Sequence, residues 1–206
     1  MNKEGLAIIL SAPSGTGKTT VCFALKQRYP DLRFSISYTT RPPRDKERDG
    51  VDYHFISREI FQKMLDEKKF LEWAEIHGNR YGTSIKKLEE VRKNGKNVVI
   101  ELDVRGVETL RALRFSGIYI FILPPSMKEL EARLIQRATE PEDKIRDRLK
   151  VGRAEITKIQ SYDYVITNHE VADTVDTILS ILKAEQSKRE LYVPECPEIE
   201  KILNLE

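Results

Sequence analysis

The chain has 206 residues, with 35 Lys and Arg against 33 Asp and Glu, a net charge of +2 and a mean hydropathy of −0.47. This is the size of one domain, or one domain with inserts, able to bury a real core, and the near charge balance excludes a nonspecific nucleic-acid binder. Two cysteines, Cys22 and Cys196, exclude a disulfide framework, no metal-ligand spacing is present, and no signal peptide or membrane-length apolar run is visible, so reduced thiols and a cytoplasmic location are expected.

Residues 6–10, LAIIL, form an apolar run too short for a helix and bounded by turn residues, which predicts a buried strand. From Thr19 onward Val21, Ala24, Leu25 and Tyr29 recur at helical spacing. Between them lies SAPSGTGKT, a phosphate-binding loop in all but one position: Gly17, Lys18 and Thr19 fit, and Ala12 stands where the pattern has its first glycine. A loop entering a helix has unpaired N–H groups, and small residues such as Ser14, Gly15 and Gly17 let them close around phosphate. Lys18 supplies a charge for the terminal phosphates, and the Thr19 hydroxyl is placed to ligate Mg²⁺. A plain linker turn is the alternative, and Gly-Lys-Thr between strand and helix outweighs it. An alanine at position 12 is tolerable because it takes negative φ.

Residues 34–37 alternate and predict the second core strand. In Arg41-Pro42-Pro43-Arg44 the prolines hold the backbone extended, and the two arginines make either a bidentate anion clamp or a solvated basic turn, the turn being favoured in isolation. A turn at Asp49-Gly50 precedes a short strand over 53–56. Ser57 then caps a helix reaching Lys68, with Ile60, Phe61, Met64 and Leu65 on its buried face. Residues 70–77 read as a strand and turn at Gly78-Asn79 into 80–83. Rich in aromatics and turns, 35–84 reads as an insert between two βα units.

Ser84 is expected to cap the next helix, with Ile85, Leu88 and Val91 inward and Gly95 ending it. Residues 98–103 form a buried strand carrying Glu101 and Asp103 at its carboxyl end, where open α/β sheets bind ligands. Val107, Leu110 and Leu113 mark a helix, and 118–123 is an apolar strand closed by Pro124-Pro125. This alternation predicts a parallel sheet covered on both faces. Ser126 to Glu129 is a capping box opening a helix with Leu130 and Leu134 inward and Arg133 and Arg137 outward. Pro141 starts another, containing Ile145, Arg146, Arg148, Leu149 and Arg153. So many arginines and so few large apolar residues suit a mobile cover or an ordinary solvated hairpin. Residues 164–167 form the last strand, ending at Asn168. Val175, Ile178, Leu179 and Leu182 define the last core helix, followed by a tail over 191–206.

Taken together, SAPSGTGKT, SYTTRPPR with DGVDYHF, FLEWAEIHGNRYGT, ELDVRG and RLIQRAT resemble the guanylate kinase family over about residues 5–186. The resemblance implies a P-loop nucleoside-monophosphate kinase fold: a parallel five-stranded α/β core over 1–34, 85–125 and 158–190, a mixed α/β GMP-binding insert over 35–84, and a helical lid over 126–157. It implies phosphoryl transfer from MgATP to GMP, and to dGMP, with no nucleic-acid or membrane partner and with monomer and homo-oligomer both compatible.

Residue by residue, the resemblance places ATP on Ala12, Pro13, Ser14, Gly15, Thr16, Gly17, Lys18, Thr19, Thr20, Arg133, Arg137 and Asn168, with Mg²⁺ on Thr19. It places the GMP phosphate on Arg41, Arg44, Tyr53 and Tyr81, and guanine on Glu72, Ser37 and Thr83, with Glu101, Asp103 and Arg148 completing that side. Lys18, Arg41, Arg44, Arg137 and Arg148 would carry the catalytic charge. The chain departs from the family pattern at Ala12, at Glu101, where Asp is usual, at Ala138, where Gly is usual, and at His169, where Asp is usual. His54, His77 and His169 read as packing or surface residues. A guanylate-kinase-like interaction module without catalysis is the alternative, disfavoured because Lys18, Thr19 and the arginines are kept.

Overall fold

The computed structural model describes residues 4–45, 47–76, 78–137, 142–188, 191 and 196–203. β1 (Ala7–Ser11) is buried on both faces and leads through the glycine-bearing loop into α1 (Lys18–Arg28). With β2 (Arg33–Phe34), β7 (Val98–Glu101), β8 (Ile118–Leu123) and β9 (Tyr164–Thr167) it forms a five-stranded parallel sheet in the order β2-β7-β1-β8-β9. The unbroken apolar character of β1 follows from its place at the centre. Ile8 and Leu10 pack with Val21 and Leu25 of α1 and with Val175, Ile178 and Leu182 of α7 (Val171–Gln186). Ala7 and Ile9 point the other way, toward Leu88 of α3 (Ile85–Lys93) and Val107 and Leu110 of α4 (Val104–Ala112).

A second sheet joins β3 (Tyr38–Thr39), β4 (His54–Phe55), β5 (Phe70–Ile76) and β6 (Asn79–Ser84) in the order β4-β3-β6-β5, antiparallel except for β3 with β4. α2 (Arg58–Asp66) covers it: Phe61 stacks on Phe70 with ring centroids 4.5 Å apart, and both rings lie so close over Gly82 that a Cβ there would meet Phe70 at 2.8 Å. α5 (Met127–Arg137) and α6 (Glu142–Ile156) form the arginine-rich pair. Short α8 (Pro197–Leu203) lies in the tail. Among the described residues no helix is long and apolar enough to cross a membrane.

Several expectations are corrected. The second core strand is Arg33–Phe34, not 34–37: Ser35 still donates to the Val99 carbonyl at 2.8 Å, but the chain then leaves the sheet edge to reach the second sheet at Tyr38. β7 stops at Glu101, because the Asp103 side chain accepts from Gly106 N–H at 2.8 Å and starts α4 instead. Ser57 caps α2 as expected, but the helix ends at Asp66, with Lys68 at φ 52°. Ser84 stands at the start of α3 without a side-chain capping bond, being buried in the pairing with Phe70. The α5–α6 pair also has a small core of its own, formed by Leu130, Leu134 and Ile145.

Candidate active site

The loop after β1 takes its shape from two glycines. Gly15 and Gly17 have φ of 94° and 102°, a region costly for residues with a Cβ, and a Cβ at Gly15 would meet the Leu134 side chain at 2.9 Å. Ala12 keeps an ordinary backbone and packs half-buried against the core, so the missing glycine leaves the loop undisturbed. Pro13 is buried, and its carbonyl accepts from Thr16 N–H at 3.1 Å. Ser14, Thr19 and Thr20 are exposed, the last two in the first turn of α1. Lys18 opens that helix, and its ammonium donates to the Leu102 carbonyl at 3.1 Å, beyond the end of β7. Charge and loop thus meet at the carboxyl ends of the central strands.

The loop is tied down from two sides through a single carbonyl. Thr16 O accepts from Asn168 Nδ2 at 2.9 Å and from the Arg133 guanidinium at 3.1 Å. Asn168 is 3 % exposed, and its Oδ1 takes the Thr174 hydroxyl at 2.9 Å. Its amide therefore buttresses the loop from beneath. Arg133, expected outward, is turned to the loop and is braced by Glu129 at 3.1 Å. Arg148 is half-buried on α6. The Arg137 side chain lies outside the described residues, as do Ala138, Thr139 and His77. His169 is exposed.

Just beyond β3 of the second sheet, Arg41 is held by a residue that the sequence reading passed over. Its guanidinium forms a two-pronged pair with Glu47, at 2.8 and 2.9 Å, and the same carboxylate accepts Arg44 N–H at 2.8 Å. The Arg41 guanidinium also lies 5.4 Å from the Tyr53 ring centroid and interacts electrostatically with the Tyr81 hydroxyl. Hydrogen bonding from Arg41 lowers the Glu47 carboxyl below its usual range. Tyr53 and Tyr81 meet edge to face at 5.9 Å. Arg44 has an exposed side chain. Arg41, Tyr53 and Tyr81 therefore come together, and Arg44 joins them through its backbone N–H on Glu47. His54 packs on Tyr38 with centroids 4.6 Å apart, matching its packing role.

Glu72 sits opposite Thr83 in the β5–β6 register, after a bulge that turns its side chain inward. It is 7 % exposed and accepts the Thr83 hydroxyl at 2.6 Å. Its second oxygen lies 3.2 Å from where a Gly106 Cβ would stand, so glycine at the start of α4 makes room for this carboxylate beside Asp103. Burial, with a smaller contribution from Asp103 against the Thr83 bonds, pushes Glu72 up to about 7. Ser37 is half-buried, and its carbonyl receives the His54 N–H at 2.8 Å. Glu101 is exposed at the end of β7 and acts electrostatically on Tyr53 and on the Cys22 thiol, whose pKa is raised chiefly by burial.

A phosphate loop at the end of a central parallel strand, with a second cluster of arginines and tyrosines on a separate sheet, has the architecture of a P-loop kinase acting on small phosphorylated molecules. The guanylate kinase model matches residues 4–185, and the chain belongs to the guanylate kinase family. It is 45 % identical over 188 residues to guanylate kinase of Geobacter sulfurreducens, covering 91 % of this chain and 93 % of that one. It is 42 % identical over 200 residues to guanylate kinase of Shouchella clausii, covering 97 % and 98 %. The crystal structure of guanylate kinase from Anaplasma phagocytophilum superposes with a TM-score of 0.73 at 34 % identity, covering 91 % of this chain and 89 % of that one.

Proposed function

We propose that the chain transfers the γ-phosphoryl group of MgATP to GMP, and to dGMP, giving ADP and GDP or dGDP. The observation that carries the choice of acceptor is the buried Glu72–Thr83 pair. A carboxylate beside a hydroxyl offers acceptors to the N1–H and 2-amino group of guanine. Adenine lacks both donors, and leaving a buried carboxylate unpaired discriminates far more strongly than losing apolar contact. In this reading 35–84 is the acceptor-binding insert, 126–157 the lid, and the remaining segments the core.

Arg41, Arg44, Tyr53 and Tyr81 hold the acceptor phosphate. Its second pKa of roughly 6 leaves it largely anionic near neutrality, so the attacking oxygen needs no general base. What remains is to align two repelling anions and to stabilise the charge of a loose transition state. Lys18 and the loop N–H groups do this from the donor side, and Arg133, Arg137 and Arg148 from the lid. Closure of insert and lid excludes water and limits wasteful hydrolysis.

The donor set fits magnesium. Thr19 presents an exposed hydroxyl in the first turn of α1, and no group of three or more His, Cys, Asp or Glu that could hold a metal ion occurs among the described residues. That suits an ion held chiefly by phosphate oxygens and water. When bound, Mg²⁺ neutralises charge on the phosphates. ADP release with MgATP and, in turn, GMP, dGMP, AMP, UMP and a sugar phosphate tests the reading. Turnover with GMP and dGMP far above the others is expected; equal turnover of AMP would overturn the acceptor assignment.

A further inference from the structure

On α6, Glu155 is a residue that neither the phosphate chemistry nor the fold yet accounts for. Gly152, one turn earlier, sets the helix against the loop: a Cβ there would lie in ordinary contact, 3.5 Å from Pro13 Cβ and 3.4 Å from Leu130. Glu155 therefore faces the loop along the same side of the helix. The Ser14 backbone, Lys18 and Asp103 act on its carboxylate electrostatically, and so does its carboxylate on Tyr162. Its Oε2 is fully buried yet accepts no hydrogen bond among the described residues. A carboxylate kept only for packing would have its oxygens satisfied, because a desolvated unpaired oxygen is costly. This one lies instead in the field of the loop backbone and of the lysine charge that a nucleotide phosphate needs.

We propose that Glu155 is a lid-borne stand-in for phosphate, occupying part of the anion site of the loop until a nucleoside triphosphate displaces it. Entry of the triphosphate frees Glu155, and with it the α6 helix that carries Arg148. The inference rests on the reading of residues 12–19 as the triphosphate site.

The test is equilibrium binding of ATP and of inorganic tripolyphosphate, by calorimetry, to the wild type and to Glu155→Gln, with GMP binding and the melting temperature measured in parallel. Removing a competing charge at this range is expected to tighten both triphosphates roughly tenfold, the order of one partly screened charge pair, and to leave GMP within about twofold. A merely structural role would move both ligands alike, or neither. If Glu155→Gln melts like the wild type and binds triphosphate no tighter, the inference is overturned. Glu155→Asp keeps the charge and withdraws it by one methylene; it is expected to bind about twofold to threefold tighter, and it decides the matter should the glutamine variant fail to fold, unchanged or weaker binding again overturning the inference. Failure of the wild type to bind either triphosphate would overturn the reading of the loop itself.

Discussion

Glu72 holds its proton to about pH 7, against an ordinary value of 4.5, because it is buried. That gap corresponds to about 3 kcal/mol between the two protonation states. Between the two values the folded protein keeps a proton that the unfolded chain has released, so this group favours folding fully below pH 4.5, and its contribution is lost as the pH rises through about 7. At pH 8 the unliganded enzyme therefore carries a buried anion waiting for donors. Glu72→Gln removes the ionisation and keeps an oxygen for the Thr83 hydroxyl. The variant is expected to be more stable than wild type by up to about 3 kcal/mol at pH 8 and by close to nothing at pH 4.5. For a chain of this size that is a rise in melting temperature of roughly 5 to 10 °C at the higher pH only. Calorimetry of both unliganded proteins at the two pH values measures it, and the double difference cancels every other titrating group. An offset of the same size at both pH values would refute the burial argument. The same substitution is expected to lose GMP selectively, since the amide turns a donor toward the guanine N–H groups, so stability gained and function lost would appear in one variant.

Three further outcomes follow from the site. Lys18→Ala is expected to lower turnover by two or more orders of magnitude, read by coupled ADP release; a near wild-type rate would remove the lysine from its role. Glu47→Gln is expected to raise the KM for GMP about threefold to tenfold while kcat changes little, because Arg41 loses one prong of its pair and Arg44 N–H a charged acceptor; an unchanged KM would show that the arginines orient themselves. Asn168→Ala removes a donor from Thr16 O and an acceptor from the Thr174 hydroxyl. It is expected to cost about 1–3 kcal/mol in urea unfolding and to raise the KM for ATP, whereas a purely local effect would leave that KM alone.

The core was legible because its signals are local. β1 and β8 are apolar along their length since both faces are covered, while on α2 the spacing finds the buried Phe61 but wrongly places Ile60 on the same face, where it is 51 % exposed. Lys18 and Thr19 declare themselves through a contiguous motif. Arg41 did not: alone it reads as part of a basic turn, and its meaning comes from Tyr53, Tyr81 and Glu47, which folding brings to it from six to forty residues away. Glu47 lies in a polar stretch with no periodicity to mark it. The partner of Asn168 is 152 positions distant in sequence. Glu155 had no local sign: Gly152 inside the same helix meets the loop at ordinary contact distance, so even that glycine is not required by crowding.

Three glutamates near the site differ in how fully their oxygens are used, and that difference separates their roles. Both oxygens of Glu47 accept from Arg41, and one also takes the Arg44 amide, so it is a finished scaffold for the arginines rather than a group that substrate must evict. Glu72 uses one oxygen on Thr83 and is held at a pKa of about 7 by burial, so a ligand that brings N–H donors is bound partly by relieving that burial. Glu155 leaves a buried oxygen with no donor and leans on the loop that the triphosphate will claim. Removing the first should therefore disorder a cation, removing the second should forfeit a base, and removing the third should improve the binding of an anion. The opposite signs expected for Glu47→Gln and Glu155→Gln, a weaker acceptor phosphate in one and a tighter triphosphate in the other, cannot both come from a general loss of negative charge around the site, which would strengthen both anions together.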